Sequence, residues 1–397
     1  MSSKILRLNK GADKRLKQGH LWIYSNEVDV KSTPLKAFEA GEQVIVQSAS
    51  EKVMGTAFVS PEALICGRLI SRSAEQFMDY SLLVHRLKIA LSLRDRVFEK
   101  PYYRWVFGDS DALPGLVVDR MGDTCVVQIS NAGMERLKDA LVDALVKVCQ
   151  PTTILFKNDG KMRATEGLEN YVEFALGEKE EVELEENGVK FLAPIVHGQK
   201  TGWFYDHRMN RARLASYVKG KRVLDLYSYV GGWGIQAAAF GAESVTCVDS
   251  SSLALNYVEK NAKLNGFEDR VSCLEGDVMD ACRQLKAEDE RFDVIIVDPP
   301  AFIPRRKDQR AGERAYEKLN QLAMRLLSKD GLLISGSCSM HLSRPSLVEI
   351  LRKTSRTLEK DVQIIEQGGQ GADHPISTAI VETEYLKAIF LRVLPYR

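Results

Sequence analysis

The C-terminal half of the chain alternates short apolar runs with longer amphipathic stretches. The apolar runs, which predict β-strands, are residues 223–226, 244–248, 271–274, 292–297 and 331–335. The stretches between and after them, whose apolar residues recur at helical spacing, are 235–240, 253–264, 281–286, 316–327 and 342–358. This alternation predicts a doubly wound α/β fold with a parallel sheet. Residues 362–366 and 386–393 are predicted to close it as antiparallel strands.

The first half of the chain follows other patterns. Short β-rich runs punctuated by glycine predict a small β domain over residues 1–75, with strands at 6–9, 44–46, 53–58 and 65–70. A long amphipathic helix is then predicted at 77–100. The remaining strands (105–107, 116–119, 124–129, 153–156) and a helix at 134–148 predict a central α+β domain over residues 76–187. An Asn187-Gly188 hairpin marks the boundary of the last domain, residues 188–397.

The turn after the first strand of the α/β domain carries glycines at 231, 232 and 234. A nicotinamide cofactor would favour G-x-G-x-x-G there, and that spacing is absent. Asp249 ends the second strand, where a carboxylate can accept hydrogen bonds from a ribose diol. A ligand with a ribose and no pyrophosphate fits better, which suggests S-adenosylmethionine. The alternative is an ordinary fold whose first turn binds nothing.

Charge and composition narrow the choice of partners. The net charge of +1 gives no overall field toward nucleic acid, so an RNA surface must be a local patch. The seven cysteines are scattered without a C-x-x-C pair, which favours reduced thiols over a disulfide framework or a zinc site. The N-terminus has no apolar segment, and no run approaches transmembrane length. We therefore predict a cytoplasmic protein with no metal and no membrane partner.

Two basic clusters are candidates for contact with RNA. The first combines basic side chains with an aromatic ring, which suits a phosphate backbone with stackable bases: Lys10, Lys14, Arg15 and Trp22. A solvated basic face beside a core tryptophan explains this cluster equally well. The second lies in a predicted loop after the fourth strand and is expected to grip phosphates of a flipped-out nucleotide: Arg305, Arg306, Lys307 and Arg310.

Reactive side chains fall at the carboxyl ends of the predicted parallel strands, where such sheets bind their ligands. Asp298 opens an Asp-Pro-Pro turn of the kind that holds the exocyclic amine of a base. In enzymes that methylate such an amine, an aromatic residue usually follows the prolines directly. Here Ala301 intervenes before Phe302, which weakens a prediction of amine methylation. Cys338 follows the next strand, and a thiolate can add to carbon 6 of cytosine and make carbon 5 nucleophilic. The alternative for Cys338 is an ordinary core cysteine.

The chain resembles bacterial large-subunit (23S) ribosomal RNA cytosine-5 methyltransferases that carry an N-terminal PUA domain. The stretches that carry the resemblance are KTGWFYDHR (200–208), VLDLYSYVGGWG (223–234), DPPAF (298–302), SCS (337–339) and ADHP (372–375). The resemblance implies a PUA domain, a central α+β domain and a Rossmann-like methyltransferase domain. It also implies that Cys338 is the nucleophile and that Asp298 holds the cytosine edge. Relatives with two cysteines carry the second beside the proline turn, where this chain has Ala301, so another, unnamed base must remove the carbon-5 proton.

The cofactor residues follow partly from the strand-end positions and partly from this resemblance. They are Lys200, Phe204, Asp206, Arg208, Asp225, Ser228, Tyr229, Gly231, Asp249, Asp277, Val278 and Asp298. For the segment 197–208, a capped helix entry at Asp206 is the structural alternative to a cover over the ligand. Two other functions stay open: guanine N7-methylation without an adduct, and an RNA-binding module with a silent methyltransferase domain. The substrate form, naked 23S rRNA or a precursor particle, and a homodimeric state are also open.

Overall fold

The computed structural model describes residues 4–395, and the chain divides into two compact units. The first contains the chain up to Val182 together with Pro194–Trp203 and Ala372–Thr383. The second contains Glu183–Ala193, Phe204–Gly371 and the chain from Glu384 onward. The first two sheets lie in the same unit, and the division into three domains at residues 75 and 187 stays a prediction.

The N-terminal sheet of the first unit has five strands in the order β1-β3-β4-β5-β2. Its elements are β1 (Ile5–Arg7), α1 (Asp13–Lys17), β2 (Trp22–Tyr24), β3 (Glu42–Gln47), β4 (Val53–Val59) and β5 (Ile65–Ser71). Alternate residues such as Val44 and Val46 are fully buried in its core. The β-rich runs therefore form strands as predicted. The three-residue strand β2 was not predicted from the sequence.

The second sheet of this unit also has five strands, in the order β10-β9-β8-β7-β6. The strands are β6 (Tyr102–Phe107), β7 (Leu116–Met121), β8 (Thr124–Ile129), β9 (Thr153–Asn158) and β10 (Tyr171–Leu176). The helices are α2 (Tyr80–Val97), α3 (Ala132–Glu135) and α4 (Lys138–Cys149). The single helix predicted at 134–148 is two helices, because Leu137 leaves helical geometry at the start of α4. Next come β11 (Glu181–Glu186) and β12 (Val189–Pro194), the predicted hairpin, with Asn187 at φ 53°.

The second unit is built on a seven-stranded sheet in the order β15-β14-β13-β16-β17-β19-β18. Its strands are β13 (Arg222–Leu226), β14 (Ser244–Asp249), β15 (Val271–Glu275), β16 (Phe292–Val297), β17 (Leu327–Ser337), β18 (Lys360–Gly368) and β19 (Lys387–Pro395). Its helices are α5 (Arg208–Ala212), α6 (Gly232–Ala239), α7 (Ser252–Leu264), α8 (Val278–Ala287), α9 (Gln309–Leu326) and α10 (Arg344–Thr357). The first five strands are parallel, and β19 runs antiparallel between β17 and β18. The doubly wound α/β prediction is confirmed.

Two helices of this unit differ from their predicted bounds. Helix α9 begins at Gln309 rather than near residue 316, so Arg310 lies in its first turn and not in a loop. The first turns of α9 are largely polar, and the position that packs closely against Phe302 and Ile303 is a glycine, Gly312, so apolar periodicity could not reveal them. The helix predicted at 209–218 is α5 followed by a 3₁₀ turn, Arg213–Ser216.

No helix within residues 4–395 combines the length and the apolar character needed to cross a membrane. Within the same residues there is no group of three or more His, Cys, Asp or Glu side chains placed to hold a metal ion.

Candidate active site

The turn between β13 and α6 has an unusual backbone. Tyr227 and Tyr229 adopt positive φ angles of 63° and 50°, and such angles in bulky residues persist only where the surrounding structure enforces them. Gly231 has φ 87°, and a Cβ there would lie 2.9 Å from the Ile235 side chain. A Cβ on Gly234 would lie 2.6 Å from the Cys247 sulfur, so glycine lets α6 pack closely on the sheet. The sequence therefore specifies the shape of this turn.

Asp249 and Ser228 differ in whether their side chains have hydrogen-bond partners. The Asp249 carboxylate accepts hydrogen bonds from the backbone N–H of Tyr229 and of Ser251, both at 2.9 Å, and so fixes the turn to the end of β14. The Ser228 hydroxyl is buried and has no hydrogen-bond partner among residues 4–395. A buried hydroxyl without a partner is costly, so this position is suited to a ligand that supplies one.

Asp225 lies at the base of the same turn and is fully buried. One carboxylate oxygen accepts the Gly234 N–H at 2.8 Å, and the other has no partner among the described residues. Burial raises the pKa of the Asp225 carboxyl to about 7. Its environment thus disfavours the charged form near neutral pH.

The raised pKa of Asp225 predicts a pH-dependent stability. The unfolded carboxyl titrates near pH 4 and the folded one near 7, so the native protein loses stability as pH rises through this window. Asp225→Asn does not titrate and should gain stability over the native protein from pH 4 to 7, by up to about 4 kcal/mol. Thermal unfolding at pH 5 and pH 8 measures this. The exposed Asp269→Asn is the control, and parallel melting curves for the native protein and Asp225→Asn would refute the assignment.

Asp277 and Val278 stand at the start of α8. Asp277 is exposed, and one of its oxygens accepts the N–H groups of Met279 and Asp280, at 2.9 and 3.1 Å. Asp277 is therefore the N-cap of this helix, which follows β15. Val278 is buried in the core of the second unit.

The predicted cover segment is split between the two units. Lys200 lies in the first unit, while Phe204, Asp206 and Arg208 lie in the second. The Phe204 ring packs edge-on against Tyr229, with 5.4 Å between ring centroids. Asp206 is buried and accepts from the Tyr385 hydroxyl at 2.7 Å and from the His207 N–H at 3.0 Å. It does not cap α5, whose N-cap is His207.

Arg208 belongs to a buried ionic cluster below the turn. Its Nε lies 3.7 Å from a Glu186 carboxylate oxygen, and Arg211 binds the same carboxylate at 2.6 and 3.0 Å. Gln236 of α6 donates to Glu186 at 2.9 Å. Arg208 thus helps to anchor the hairpin residue Glu186 to α5, a role that the sequence pattern alone did not predict.

Asp298 lies at the end of β16 with 22% of its side chain exposed. Its carboxylate accepts from the Trp233 indole N–H at 3.0 Å and lies 3.2 Å from His207 Nε2. Burial opposes the charge on both groups. The His207–Asp298 pair nevertheless outweighs burial, lowering the pKa of Asp298 and raising the pKa of His207 above its ordinary value. Neither His207 nor Trp233 is among the predicted site residues, although both lie within the stretches that carry the family resemblance.

Cys338 directly follows β17, the strand next to β16, and its side chain is half-buried. Its sulfur lies 3.9 Å from the Pro299 carbonyl oxygen, so the thiol adjoins the Asp298 turn. The flanking Ser337 and Ser339 are buried, and both hydroxyls bond to the Tyr316 hydroxyl, at 2.9 and 2.8 Å. The two serines fix the strand end, and Cys338 alone of the three stays partly accessible.

The N-terminal basic cluster is only partly available to a partner. Lys10 and Lys14 are exposed. Arg15 binds both carboxylate oxygens of Glu27, at 2.7 and 2.8 Å, so much of its charge is balanced within the unit. Trp22 is half-buried, and its indole N–H donates to Asp109 at 3.0 Å. This hydrogen bond ties Trp22 to the turn at residues 108–111.

The second basic cluster is exposed throughout, comprising Arg305, Arg306, Lys307 and Arg310. It surrounds the start of α9, seven to twelve residues after the Asp298-Pro299 turn begins. Within the cluster, Arg305 forms a surface ion pair with Asp308 at 3.0 Å.

Comparison with known proteins places this site in a family. Residues 6–72 match a PUA-like domain, and residues 162–358 match the S-adenosylmethionine-dependent methyltransferase family. Over 393 residues the chain is 36% identical to ribosomal RNA large subunit methyltransferase I of Aliivibrio fischeri (strain MJ11), covering 98% of each. The protein of the same name from Vibrio cholerae (strain O395) is 36% identical over 396 residues, with 98% of each covered. The chain belongs to the ribosomal RNA large subunit methyltransferase I family.

Solved structures agree on the fold. A putative methyltransferase in complex with S-adenosylhomocysteine superposes with a TM-score of 0.84 at 21% identity, covering 98% of this chain and 100% of the other. A putative methyltransferase from Streptococcus mutans gives 0.82 with the same identity and coverage. The PUA-like and methyltransferase folds inferred from the sequence are thereby confirmed.

Family membership makes this chain an S-adenosylmethionine-dependent methyltransferase. The structure fits that cofactor on independent grounds. Two buried polar atoms without partners, the Ser228 hydroxyl and one Asp225 oxygen, belong to the turn where the adenosyl group is expected. The Asp249 carboxylate at the adjacent strand end retains lone pairs for a ribose diol, since each of its oxygens accepts a single described N–H.

Proposed function

We propose that this enzyme methylates carbon 5 of a cytosine in large-subunit (23S) ribosomal RNA through a covalent bond to Cys338. The RNA class is supported by the names of its relatives and by the PUA-like domain. The choice of cytosine rests on one observation: a partly accessible thiol beside the Asp298-Pro299 turn. Methylation of an amine or a ring nitrogen needs no such thiol, because those atoms carry their own lone pair.

A thiol is needed at this position because carbon 5 must be activated before it can accept a methyl group. Carbon 5 of cytosine is a poor nucleophile, and addition of a thiolate to carbon 6 makes it enamine-like. The sulfur–carbon 6 bond forms from the thiolate electron pair, and the ring double-bond electrons become available at carbon 5. S-adenosylmethionine supplies, when bound, an electrophilic methyl group for that carbon. Methyl transfer leaves S-adenosylhomocysteine, and a general base then removes the carbon-5 proton. The electrons of that carbon–hydrogen bond re-form the double bond between carbons 5 and 6, and the sulfur–carbon 6 bond breaks with its electron pair returning to Cys338.

Asp298 is suited to hold the ring edge. The pair with His207 keeps its carboxylate ionised, and an ionised carboxylate is an acceptor for the exocyclic amine of cytosine. Trp233 and His207 occupy one side of each oxygen, and the remaining lone pairs can serve the base. Because His207 and Trp233 fix its orientation, Asp298 is positioned before the substrate arrives.

The remaining cofactor contacts are proposed from their positions. The turn Ser228–Gly231 with Asp225 and Asp249 would hold the adenosyl ribose, and the start of α8 at Asp277 and Val278 would border the adenine. Phe204, packed on Tyr229, would line the same turn. Lys200, Asp206 and Arg208 remain candidates, with the buried pair Asp206 and Arg208 acting through the packing of this region.

The exposed basic cluster at the start of α9 is proposed to bind phosphates of the flipped-out target strand. Reversing Arg306, Lys307 and Arg310 to glutamate should weaken RNA binding. It should also reduce the slope of log K against log salt by up to about 3, at about 0.7–0.9 per lost phosphate contact. Filter binding at 50 to 200 mM salt measures this. The matched control reverses the exposed Lys353 and Arg356 on α10, and an unchanged slope in the α9 variant would reject the assignment.

The product nucleoside tests the choice of base. Unmodified large-subunit ribosomal RNA is incubated with the enzyme and methyl-labelled S-adenosylmethionine, then digested to nucleosides for mass spectrometry. We expect 5-methylcytidine. Labelled N7-methylguanosine would overturn the cytosine proposal and identify the alternative base. Absence of any labelled nucleoside, with cofactor binding intact, would favour the silent RNA-binding module.

A further inference from the structure

Lys387 is a buried lysine beside the proposed nucleophile. It opens β19, is 4% exposed, and pairs across the sheet with Ser337 of β17. Its Nζ donates to the carbonyl oxygens of Ser339, at 2.6 Å, and of Tyr385, at 2.8 Å. The amine thus reaches the carbonyl of Ser339, the residue after Cys338, and both bonds keep it at this strand end.

This amine forms no salt bridge within residues 4–395. The carboxylate that acts on its charge, Glu384, lies beyond ion-pair distance, and the hydrogen-bond partners of the amine are two carbonyl oxygens. Buried lysines are ordinarily paired, because removing the charge from water is costly. The two carbonyl dipoles offset part of that cost, and a nearby anion would offset more. A thiolate at Cys338 is such an anion.

The pKa of Lys387 depends on burial and on the charges around it, including that of Cys338. Burial lowers the pKa of Lys387 to about 8, and the negative form of Cys338 acts in the opposite direction, raising it. Arg344, at the start of α10, lowers the Lys387 pKa, and Glu384 raises it. Tyr316, bonded to both serines around Cys338, has its own pKa raised by burial and stays neutral. Coupling between two groups is reciprocal, so the ammonium favours the thiolate as the thiolate favours the ammonium.

We propose that Lys387 is a positioning residue that holds Cys338 as a thiolate for attack on carbon 6. The proposal deepens, and rests on, the function proposed above. The ammonium keeps its proton throughout. It stabilises the sulfur anion before the sulfur–carbon bond forms, and again when that bond breaks and the electron pair returns to sulfur. Lys387 thus serves both halves of the covalent cycle without touching the base.

The thiol itself provides the test, independently of methyl transfer. The rate at which iodoacetamide alkylates Cys338 is followed from pH 5.5 to 9.5 by mass spectrometry of the peptide that contains it, since only the thiolate reacts. In the native protein we expect the midpoint below the ordinary thiol value of about 8.5. In Lys387→Met the midpoint should rise by about one unit, which slows alkylation below the midpoint about tenfold. Lys387→Arg should stay near the native midpoint.

Arg392→Met, on the same strand but paired with Asp330 at the surface, is the matched control and should leave the midpoint unchanged. Equal midpoints for native protein and a folded Lys387→Met would overturn the proposal. A native midpoint at or above the ordinary value would overturn it even if Lys387→Met does not fold. A shifted midpoint together with methylguanosine as the product would support the lysine–thiol coupling and overturn the cytosine chemistry, so the two failures are distinguishable.

Discussion

Cys338→Ala is expected to reduce methyl transfer to the background of the assay while leaving cofactor binding within a few-fold of native. Without the sulfur, carbon 5 stays a poor nucleophile and no other group at the strand end can add to carbon 6. The turn around Ser228 does not depend on the Cys338 side chain, so affinity for S-adenosylmethionine should persist. Labelled methyl incorporation and calorimetric titration of the cofactor measure the two effects.

The matched control for this experiment is Cys273→Ala. Cys273 lies on β15 in the same unit, half-buried, with its sulfur 3.9 Å from the Leu255 carbonyl oxygen. Because it is at another strand and distant in the sheet order, its loss should leave methyl transfer unchanged. Retention of full activity in Cys338→Ala would contradict the covalent route. It would favour a methyltransferase that acts on a ring nitrogen.

Asp298→Asn is expected to lower kcat by about 10²–10³, the usual effect of removing one preorganised electrostatic contact. The amide keeps the shape of the carboxylate and can still accept from the Trp233 indole. It removes the negative charge proposed to accept the cytosine amine, and it also removes the anion that raises the pKa of His207. Because Asp298 is also one of the predicted cofactor residues, kcat is measured at saturating S-adenosylmethionine. Single-turnover kinetics with saturating RNA separates kcat from binding.

Asp293→Asn provides the comparison for this variant. Asp293 lies at the opposite end of β16, where it accepts the Arg222 N–H at 3.0 Å. Its substitution should leave kcat near native. If Asp298→Asn instead raised the KM for RNA with an unchanged kcat, Asp298 would serve ground-state binding alone and its proposed role in the reaction would be wrong.

Much of the fold follows from local sequence patterns. The apolar runs of β13, β14 and β16 could be read as parallel strands because both faces of those strands are buried, which leaves few polar interruptions. The Asn187-Gly188 hairpin follows from the positive φ that its turn requires. The placement of Asp298 and Cys338 at neighbouring strand ends follows from the parallel order of β16 and β17.

The features of the fold that were not predicted depend on contacts between residues far apart in the sequence. Residues 372–383 belong to the first unit, where the Arg104 N–H donates to Asp373 at 3.0 Å across 269 positions of sequence. No local pattern reports such a return of the chain. The ADHP stretch at 372–375 was informative as a family signal, and its structural role became visible only in the fold.

Contacts between distant residues also explain why His207 and Lys387 were not predicted as site residues. His207 lies within KTGWFYDHR, yet its pairing with Asp298 depends on how α5 meets β16. Lys387 sits in an apolar strand of the printed sequence, and only the pairing of β19 with β17 brings it to the Cys338 strand end. A charged residue inside an apolar run was the one signal that could have identified it, because such residues are rarely buried without a function or a partner.

The proposed chemistry depends on a covalent bond between Cys338 and carbon 6, and a fluorinated substrate traps that bond. Large-subunit ribosomal RNA transcribed with 5-fluorocytidine is incubated with the enzyme and S-adenosylmethionine. Fluorine at carbon 5 cannot leave as a cation, so the methylated adduct cannot release the thiol. We predict an enzyme–RNA complex that survives denaturing gel electrophoresis, maps to the Cys338 peptide by mass spectrometry, and is absent from Cys338→Ala. Turnover with no trapped complex, or a complex attached to another residue, would contradict the claim.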